Sequence, residues 1–211
     1  MDTTPTVSLF DDSYKSGFAP WIIGQPQPAV VELERSGAFR GRVLDIGCGA
    51  GEHTILLTRL GYDVLGVDAA PTAVEVARRN AETAGVDARF AVGDAFNLEP
   101  GYDTILDSAL FHIFDIFDAD DRRRYARSLH TACNPGGVVY VLALSDAGRG
   151  FGPQVSAADI RGAFTDGWQV ESLVETTYRG VIGESHAEAF GLPVGTLVDE
   201  PAWLARITRD L

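Results

Sequence analysis

Cysteine is scarce in this sequence, and long apolar runs are missing from it. The chain of 211 residues has two cysteines, Cys48 and Cys133, which are far apart and belong to no CxxC pair. We therefore expect no disulfide framework, no zinc site, no iron–sulfur cluster and no other metal. No stretch approaches the roughly 20 apolar residues that span a bilayer. Residues 1–5 lack the basic and apolar regions of a secretory signal. These absences favour a reducing, cytoplasmic location and no membrane partner.

Positive charge is also in short supply. The chain carries 17 Lys and Arg residues against 30 Asp and Glu, which gives a formal net charge of -13. Its densest basic run, residues 122–124, lies beside Asp118, Asp120 and Asp121. Nucleic-acid binding needs a clustered basic face, so this run is interpreted as a solvated helix face and no nucleic-acid partner is expected. For the oligomeric state, the sequence allows a monomer or a homodimer.

The chain is predicted to consist of an N-terminal arm, residues 1–40, and one domain, residues 41–211. The arm is interpreted as mostly irregular because of Pro20, Pro26 and Pro28, with a helix over residues 28–36. Its aromatic residues are unusual for a disordered tail, so we expect it to pack on the domain as a lid.

From Val43 onward the pattern alternates between strand and helix. Predicted strands cover residues 43–46, 64–67, 89–92, 104–106, 138–144 and 169–177, and predicted helices cover 52–60, 71–84, 121–132 and 156–164. Residues 201–211 are ambiguous, and we favour a strand. Such alternation predicts an α/β fold with a doubly wound parallel sheet. Ligands of these sheets bind at the carboxyl ends of the strands.

A glycine-rich turn follows the first predicted strand. In Asp45-Ile46-Gly47-Cys48-Gly49-Ala50-Gly51, glycines stand at every second position between a strand and a helix. This is not the dinucleotide spacing GxGxxG. Since Asp45 would repel a pyrophosphate, it suits a cationic or amine-bearing ligand instead.

Two further acids end the next two predicted strands. Asp68 can accept hydrogen bonds from both hydroxyls of a ribose. Asp94, in the turn Gly93-Asp94-Ala95, can accept a hydrogen bond from an adenine amino group. Together with Asp45, these acids match a nucleoside that carries an amino acid.

These motifs resemble the class I, Rossmann-like S-adenosylmethionine-dependent methyltransferases over residues 43 to about 145. The resemblance implies a seven-stranded sheet with the last strand antiparallel, and S-adenosyl-L-methionine as the cofactor. The backbone of the glycine turn would hold the methionine part. In addition, Asp68 with Ala69 would bind the ribose, and Asp94 with Ala95 the adenine. The cofactor-binding residues expected in the turn are Gly47, Cys48, Gly49 and Gly51, preceded by Asp45.

A narrower resemblance covers most of the chain. Residues 19–29 (APWIIGQPQPA) are similar to the N-terminal arm of the thiopurine and halide/thiol methyltransferases, and of bacterial heterocycle or quinone methyltransferases. Ile22 stands where that pattern usually has Asp. The segments 107–112 (DSALFH) and 150–153 (GFGP) also resemble this group. In this interpretation Trp21 closes over the cofactor and the acceptor.

The segment after the fourth predicted strand supplies the candidates for catalysis. His112 is a possible base for an acceptor that is protonated at neutral pH, with a structural role as the equal alternative. Asp107 could bind the methionine amine or steer the acceptor, and Ser108 is assigned to the cofactor. Aromatic residues favour a flat acceptor with a hydroxyl or nitrogen as the attacking group. They are Phe10, Tyr14, Phe18, Trp21, Phe111, Phe114, Phe117 and Phe151.

Other functions stay in competition with this one. Enzymes of this fold that methylate amino groups of bases usually carry Asn/Asp-Pro-Pro-aromatic, where this chain has Asp107-Ser108-Ala109-Leu110. Halide or thiol acceptors are possible and would need no base. A non-enzymatic module that binds the cofactor is a further alternative. A dehydrogenase is disfavoured by the glycine spacing and by Asp45.

Overall fold

The computed structural model describes residues 5–17, 19–114 and 120–211, apart from the side chains of residues 5 and 6. The helices are α1 (Pro5–Ser16), α2 (Pro28–Arg35), α3 (Glu52–Arg59), α4 (Pro71–Ala84), α5 (Asp121–Ala132), α6 (Ala157–Ala163) and α7 (Glu184–Phe190). The strands are β1 (Arg42–Ile46), β2 (Asp63–Asp68), β3 (Arg89–Val92), β4 (Tyr102–Ser108), β5 (Cys133–Leu144), β6 (Trp168–Val181) and β7 (Leu197–Arg209). A short 3-10 helix covers Phe111–Ile113.

All the strands belong to one seven-stranded sheet with the order β3-β2-β1-β4-β5-β7-β6. The first five strands in this order, β3-β2-β1-β4-β5, pair in parallel. The last strand, β7, lies between β5 and β6 and is antiparallel to both. This confirms the predicted Rossmann-like sheet and the strand expected over residues 201–211. The carboxyl ends of β1 to β6 consequently meet at one edge, which we call the carboxyl edge.

The core lies on both faces of the sheet because side chains alternate along each strand. Leu44 and Ile105 face a cluster that includes Tyr125 and Leu129 of α5. On the other face, Val43 belongs to a cluster with side chains of α2 and α3. From Val138 to Leu144, β5 is buried on both faces, as its continuous apolar run predicts.

Two helices differ from the prediction. The arm was expected to be mostly irregular before residue 28, but residues 5–16 form α1, so that prediction was wrong. The helix is held by packing, since Phe10 and Tyr14, one turn apart, contact the Trp21 ring edge-to-face at centroid distances of 5.6 and 6.2 Å. Helix α7 was not predicted at all. It has no fully buried residue, so its apolar periodicity is weak.

The boundaries of the other helices agree more closely with the prediction. Helix α6 begins after Ser156, whose side chain accepts from the Asp159 N–H while the Asp159 carboxylate accepts from the Ser156 N–H. The two bonds form a capping box, which fixes the start of the helix predicted over residues 156–164. Strands β4, β5 and β6 are longer than predicted. Within the described ranges, no helix is both long enough and apolar enough to cross a membrane.

Candidate active site

The glycine turn joins β1 to α3 at the carboxyl edge. The N–H groups of Gly47 and Cys48 both donate to the Val67 carbonyl, at 2.8 and 3.0 Å, which fastens the turn to β2. Gly51, the N-cap residue of α3, has φ of 86°, and a Cβ there would lie 2.9 Å from Ala77 and Phe90. Glycine is therefore required both by the backbone conformation and by the close approach of α4 and β3. Cys48 is buried, and burial raises the pKa of its thiol well above the ordinary value.

Asp68 lies at the end of β2, directly beside this turn. Its Oδ2 accepts from the Gly49 N–H and its Oδ1 from the Ala70 N–H, both at 2.9 Å. Burial raises the pKa of the carboxyl, and the hydrogen bonds from Ala70, Gly49 and Ala69 lower it. Each carboxylate oxygen has more than one lone pair, so both can still accept from hydroxyl groups of a ligand. The bond from Ala70, the N-cap residue of α4, holds the segment that leads into this helix, and it is compatible with the predicted ribose role of Asp68.

Asp94 follows β3 and forms a turn. Its Oδ1 accepts from the Phe96 N–H at 2.9 Å, and its carbonyl accepts from the Asn97 N–H at 3.0 Å. The side chain is exposed, while Ala95 is buried beside it. The predicted adenine contact is consistent with this exposure, and it stays a prediction.

Asp45 is placed differently from the two other acids. It is 1% exposed, and its Oδ2 accepts from the Thr54 hydroxyl of α3 at 2.6 Å. Burial raises the pKa of the carboxyl to about 6, against the hydrogen bonds from Thr54, which lower it. These contacts tie α3 to β1, and a role for Asp45 toward a ligand amine stays a prediction.

Asp107 at the end of β4 organises the segment that follows it. Its Oδ1 accepts from the N–H groups of Leu110 and Phe111, at 3.0 and 3.1 Å, and its Oδ2 accepts from the Tyr125 hydroxyl at 2.8 Å. Burial raises the pKa of this carboxyl to about 7. With these contacts Asp107 fixes the loop, and direct binding of a ligand stays a prediction.

The next two residues turn the chain over the glycine motif. Ser108 has a buried hydroxyl with no hydrogen-bond partner in the described part of the chain. Ala109 has φ of 73°, in the left-handed region that L residues rarely adopt. The turn brings Leu110 so close to Gly47 that a Cβ on the glycine would lie 3.0 Å from the Leu110 Cβ.

His112 lies in the 3-10 helix after β4 and is 5% exposed. Its Nδ1 accepts from the Leu144 N–H at 3.0 Å, which links the loop to the end of β5. Burial, followed by the charge of Arg122, lowers the pKa of the imidazole to about 3. The ring is therefore neutral at pH 7, and its single proton is assigned to Nε2.

The arm crosses the carboxyl edge and is fastened at several points. Its Pro20 carbonyl accepts from the Val181 N–H at 2.8 Å. Buried Gln27 donates from Nε2 to the Arg179 carbonyl at 2.7 Å and accepts at Oε1 from the Arg179 N–H at 2.8 Å. The N–H of Gln27 donates to Nε2 of His53 at 3.1 Å. His53, in the first turn of α3, thus helps to hold the arm.

Aromatic rings of helix α7 and of the segment after β5 meet next to the arm. Phe151, after β5, stacks on His186 of α7 with ring centroids 4.8 Å apart, and Phe190 lies 6.0 Å from Phe151. Trp21 packs against the same apolar cluster. Phe111 and Phe114 point instead into the core around Tyr125, and Phe18 and Phe117 lie outside the described residues.

Sequence reasoning missed several residues of this edge. Tyr14 was noted only as an aromatic residue of the arm, and Gln27 and Glu52 were not singled out. Gln27 contacts Arg179 and Tyr14 approaches Gly49, which are distant in sequence, so periodicity gives no signal for these contacts. Glu52 is distinguished only by its burial, which raises the pKa of its carboxyl to about 7. The one available signal is the turn-length spacing of Phe10 and Tyr14 ahead of Trp21.

The carboxyl edge therefore has the features expected of a Rossmann-like protein for a nucleoside with an attached amino acid. Three features fit such a ligand. The buried Ser108 hydroxyl has no partner among the described residues, and the Asp68 oxygens can accept further hydrogen bonds. In addition, Gly47 and Gly49 have no side chains, so a ligand can approach the backbone of the turn. Residues 43–137 match the family model described as a methyltransferase domain. The 2-heptyl-1-hydroxyquinolin-4(1H)-one methyltransferase of Mycobacteroides abscessus is 34% identical over 183 residues, covering 78% of this chain and 78% of that protein.

Further relatives agree. "Probable thiol methyltransferase 2" of Arabidopsis thaliana is 29% identical over 149 residues, covering 68% of this chain and 65% of that protein. A structure described as "Conversion of a Disulfide Bond into a Thioacetal Group during Echinomycin Biosynthesis" matches with a TM-score of 0.86 and 38% identity, covering 97% of this chain and 93% of that one. The chain belongs to the S-adenosylmethionine-dependent methyltransferases. It is an enzyme that methylates small molecules, which confirms the predicted enzyme class and cofactor.

Proposed function

We propose that the acceptor is a small aromatic or heterocyclic molecule that is methylated on a hydroxyl or a nitrogen. The observation that carries this proposal is the group of rings at the carboxyl edge, Phe151, His186 and Phe190, with Trp21 of the arm in the same apolar cluster. Such rings favour a flat apolar ligand. The hydroxyquinolone named for the Mycobacteroides abscessus relative is a molecule of this kind.

The cofactor is assigned to residues of three successive loops. The backbone of Gly47, Cys48, Gly49 and Gly51 would hold the methionine part, with Asp45, Asp107 and Ser108 near its amine. The carboxylate of Asp68, beside Ala69, would accept from the ribose hydroxyls. Asp94 and Ala95 would flank the adenine. These assignments rest on the positions of the side chains at the carboxyl edge and on the family motif.

When bound, S-adenosylmethionine supplies an electrophilic methyl group on a positively charged sulfur. The protein contributes mainly orientation, which can be worth roughly 7–11 kcal/mol. We propose that residues 1–40 act as the lid that excludes water, with Trp21 over the reacting groups. His112 and Asp107 are proposed to act on the acceptor, either through a proton or by holding the loop after β4.

A thiol or halide acceptor is the second candidate. It is favoured by the state of His112, which is neutral and whose Nδ1 already accepts from Leu144. An acceptor that is already anionic needs no base. The name of the Arabidopsis thaliana relative also points to sulfur.

A panel of phenols, hydroxylated heterocycles, thiols and iodide, each incubated with labelled S-adenosylmethionine, distinguishes these candidates. We expect fast transfer to hydroxylated aromatic or heterocyclic compounds. Turnover of thiols or iodide alone would contradict the first proposal and support the second. No transfer to any class, with S-adenosylhomocysteine still bound, would contradict both proposals and indicate an acceptor of another chemical class.

We also propose that the enzyme works in the cytoplasm, as a monomer or homodimer, on free small molecules and not on nucleic acid. Two observations support this. Both cysteines are free and buried, and the formal net charge of -13 disfavours binding to phosphate backbones.

A further inference from the structure

The hydroxyl of Tyr14, on α1, lies directly on the glycine turn. Tyr14 is 8% exposed. A Cβ built on Gly49 would lie 2.6 Å from the Tyr14 oxygen, so the close approach requires glycine. Asp11, on the same helix, accepts from the Thr72 N–H at the start of α4 at 2.9 Å. Helix α1 is thus fixed over the two loops that the cofactor must contact.

The hydrogen bonding of Tyr14 leaves its proton available. Trp21 Nε1 donates to the Tyr14 oxygen at 2.9 Å, and an indole N–H can only donate. No described residue accepts the Tyr14 proton. Burial, followed by the charge of Asp68, raises the pKa of this hydroxyl well above its ordinary value, so it remains a donor at neutral pH. A buried donor without an acceptor is costly, and a bound ligand would remove that cost.

The position of the Tyr14 hydroxyl indicates which part of the cofactor it contacts. Gly49 belongs to the turn whose backbone is proposed to hold the methionine part of the cofactor. The Asp68 carboxylate already accepts from Gly49 and Ala70 and is proposed to take the ribose. A carboxylate is the strongest acceptor for a neutral hydroxyl donor.

We propose that Tyr14 is a cofactor-binding residue whose hydroxyl donates to the carboxylate of the methionine part, and that Trp21 is a positioning residue that directs this proton. The proposal rests on the cofactor sites assigned above. It gives α1 a direct chemical role in addition to covering the site.

Binding of S-adenosylhomocysteine, measured by calorimetry, tests the role of Tyr14. Methylthioadenosine, which has the nucleoside but no amino acid, is the comparison ligand. We expect Tyr14→Phe to weaken the binding of S-adenosylhomocysteine roughly 10- to 150-fold, the loss of one hydrogen bond to a charged group, and to leave the binding of methylthioadenosine unchanged. Equal binding of S-adenosylhomocysteine by Tyr14→Phe and the wild type would overturn the proposal. Equal weakening of both ligands would also overturn it, because the bond would then involve the nucleoside.

Two further variants complete the test. Tyr62→Phe, which removes the hydroxyl that donates to Glu34 at 3.2 Å, is the matched control and should bind both ligands normally. The Trp21→Phe variant should weaken S-adenosylhomocysteine, and the double variant should be no weaker than Tyr14→Phe alone. Additive losses would mean that Trp21 does not act through Tyr14. Unchanged binding of both ligands by Asp68→Asn would instead contradict the assigned cofactor site.

Discussion

At the scale of single residues, a hydrogen bond of His112 favours a positioning role over proton acceptance. Its Nδ1 is occupied by the Leu144 N–H. An asparagine side chain carries an oxygen near the position of Nδ1, so His112→Asn can keep this bond without any capacity to take a proton. His112→Ala removes both functions and leaves a buried N–H unpaired, at a cost of roughly 1–3 kcal/mol.

We therefore expect His112→Ala to lose most of its turnover and His112→Asn to retain a large part of it. The measurement is kcat for a series of phenols of falling pKa. If His112 is a base, both variants should be equally impaired, by roughly 10²–10⁴-fold. The loss should then shrink for acidic phenols that are already ionised. That pattern would contradict the positioning role and support the proton-accepting one.

The residues that could be predicted are those that carry a local pattern. The glycine turn and the strand-end acids Asp68 and Asp94 are recognisable because each directly follows a predicted strand, and their contacts with a ligand stay predictions. The contacts of Asp107 could not be predicted in this way. Tyr125 is 18 positions from Asp107. In the same way, Leu144 is 32 positions from its partner His112. Only the packing of β4 against α5 and β5 brings these groups together.

At the scale of elements, the strands with continuous apolar runs were predicted, and the helices that depend on tertiary contacts were not. Strand β5 is buried on both faces, so its composition identifies it. Helix α7 buries no residue completely, and α1 is held by rings that meet Trp21. The arm is therefore an element whose structure depends on its anchors.

Gln27→Met tests the principal anchor of the arm. The change keeps the length of the side chain and removes both hydrogen bonds to Arg179, whose backbone N–H and carbonyl lose their partners. We expect faster amide hydrogen exchange over residues 19–27 and a several-fold weaker affinity for S-adenosylhomocysteine. Gln25→Met, at an exposed position two residues away, is the control. Exchange rates equal to those of the control would show that Gln27 does not hold the arm.

At the scale of the whole molecule, buried carboxyls and buried histidines have opposite effects on how folding stability depends on pH. Burial raises the pKa of Asp45 to about 6, and those of Glu52 and Asp107 to about 7. The unfolded chain releases these protons near pH 4. Below the folded pKa values the folded state holds more protons than the unfolded state, so stability falls as pH rises through them.

The buried histidines have the opposite effect. Burial lowers the pKa of His53 to about 4 and that of His112 to about 3. The unfolded chain takes up these two protons near pH 6.5. Stability from these groups is therefore lost as pH falls below about 6.5. Since the carboxyls with pKa near 7 titrate first, they dominate between pH 8 and 6.5.

We expect the free energy of unfolding of the ligand-free protein to increase as pH falls from 8 to 6.5, by on the order of 1 kcal/mol. The measurement is urea denaturation across this range at constant ionic strength. Glu52→Gln should flatten the dependence, because its amide does not titrate, while Glu75→Gln, at an exposed position of α4, should leave it unchanged. A free energy that decreases over this range would mean that the histidines dominate. Equal slopes for Glu52→Gln and the wild type would show that Glu52 is ionised in the folded protein throughout.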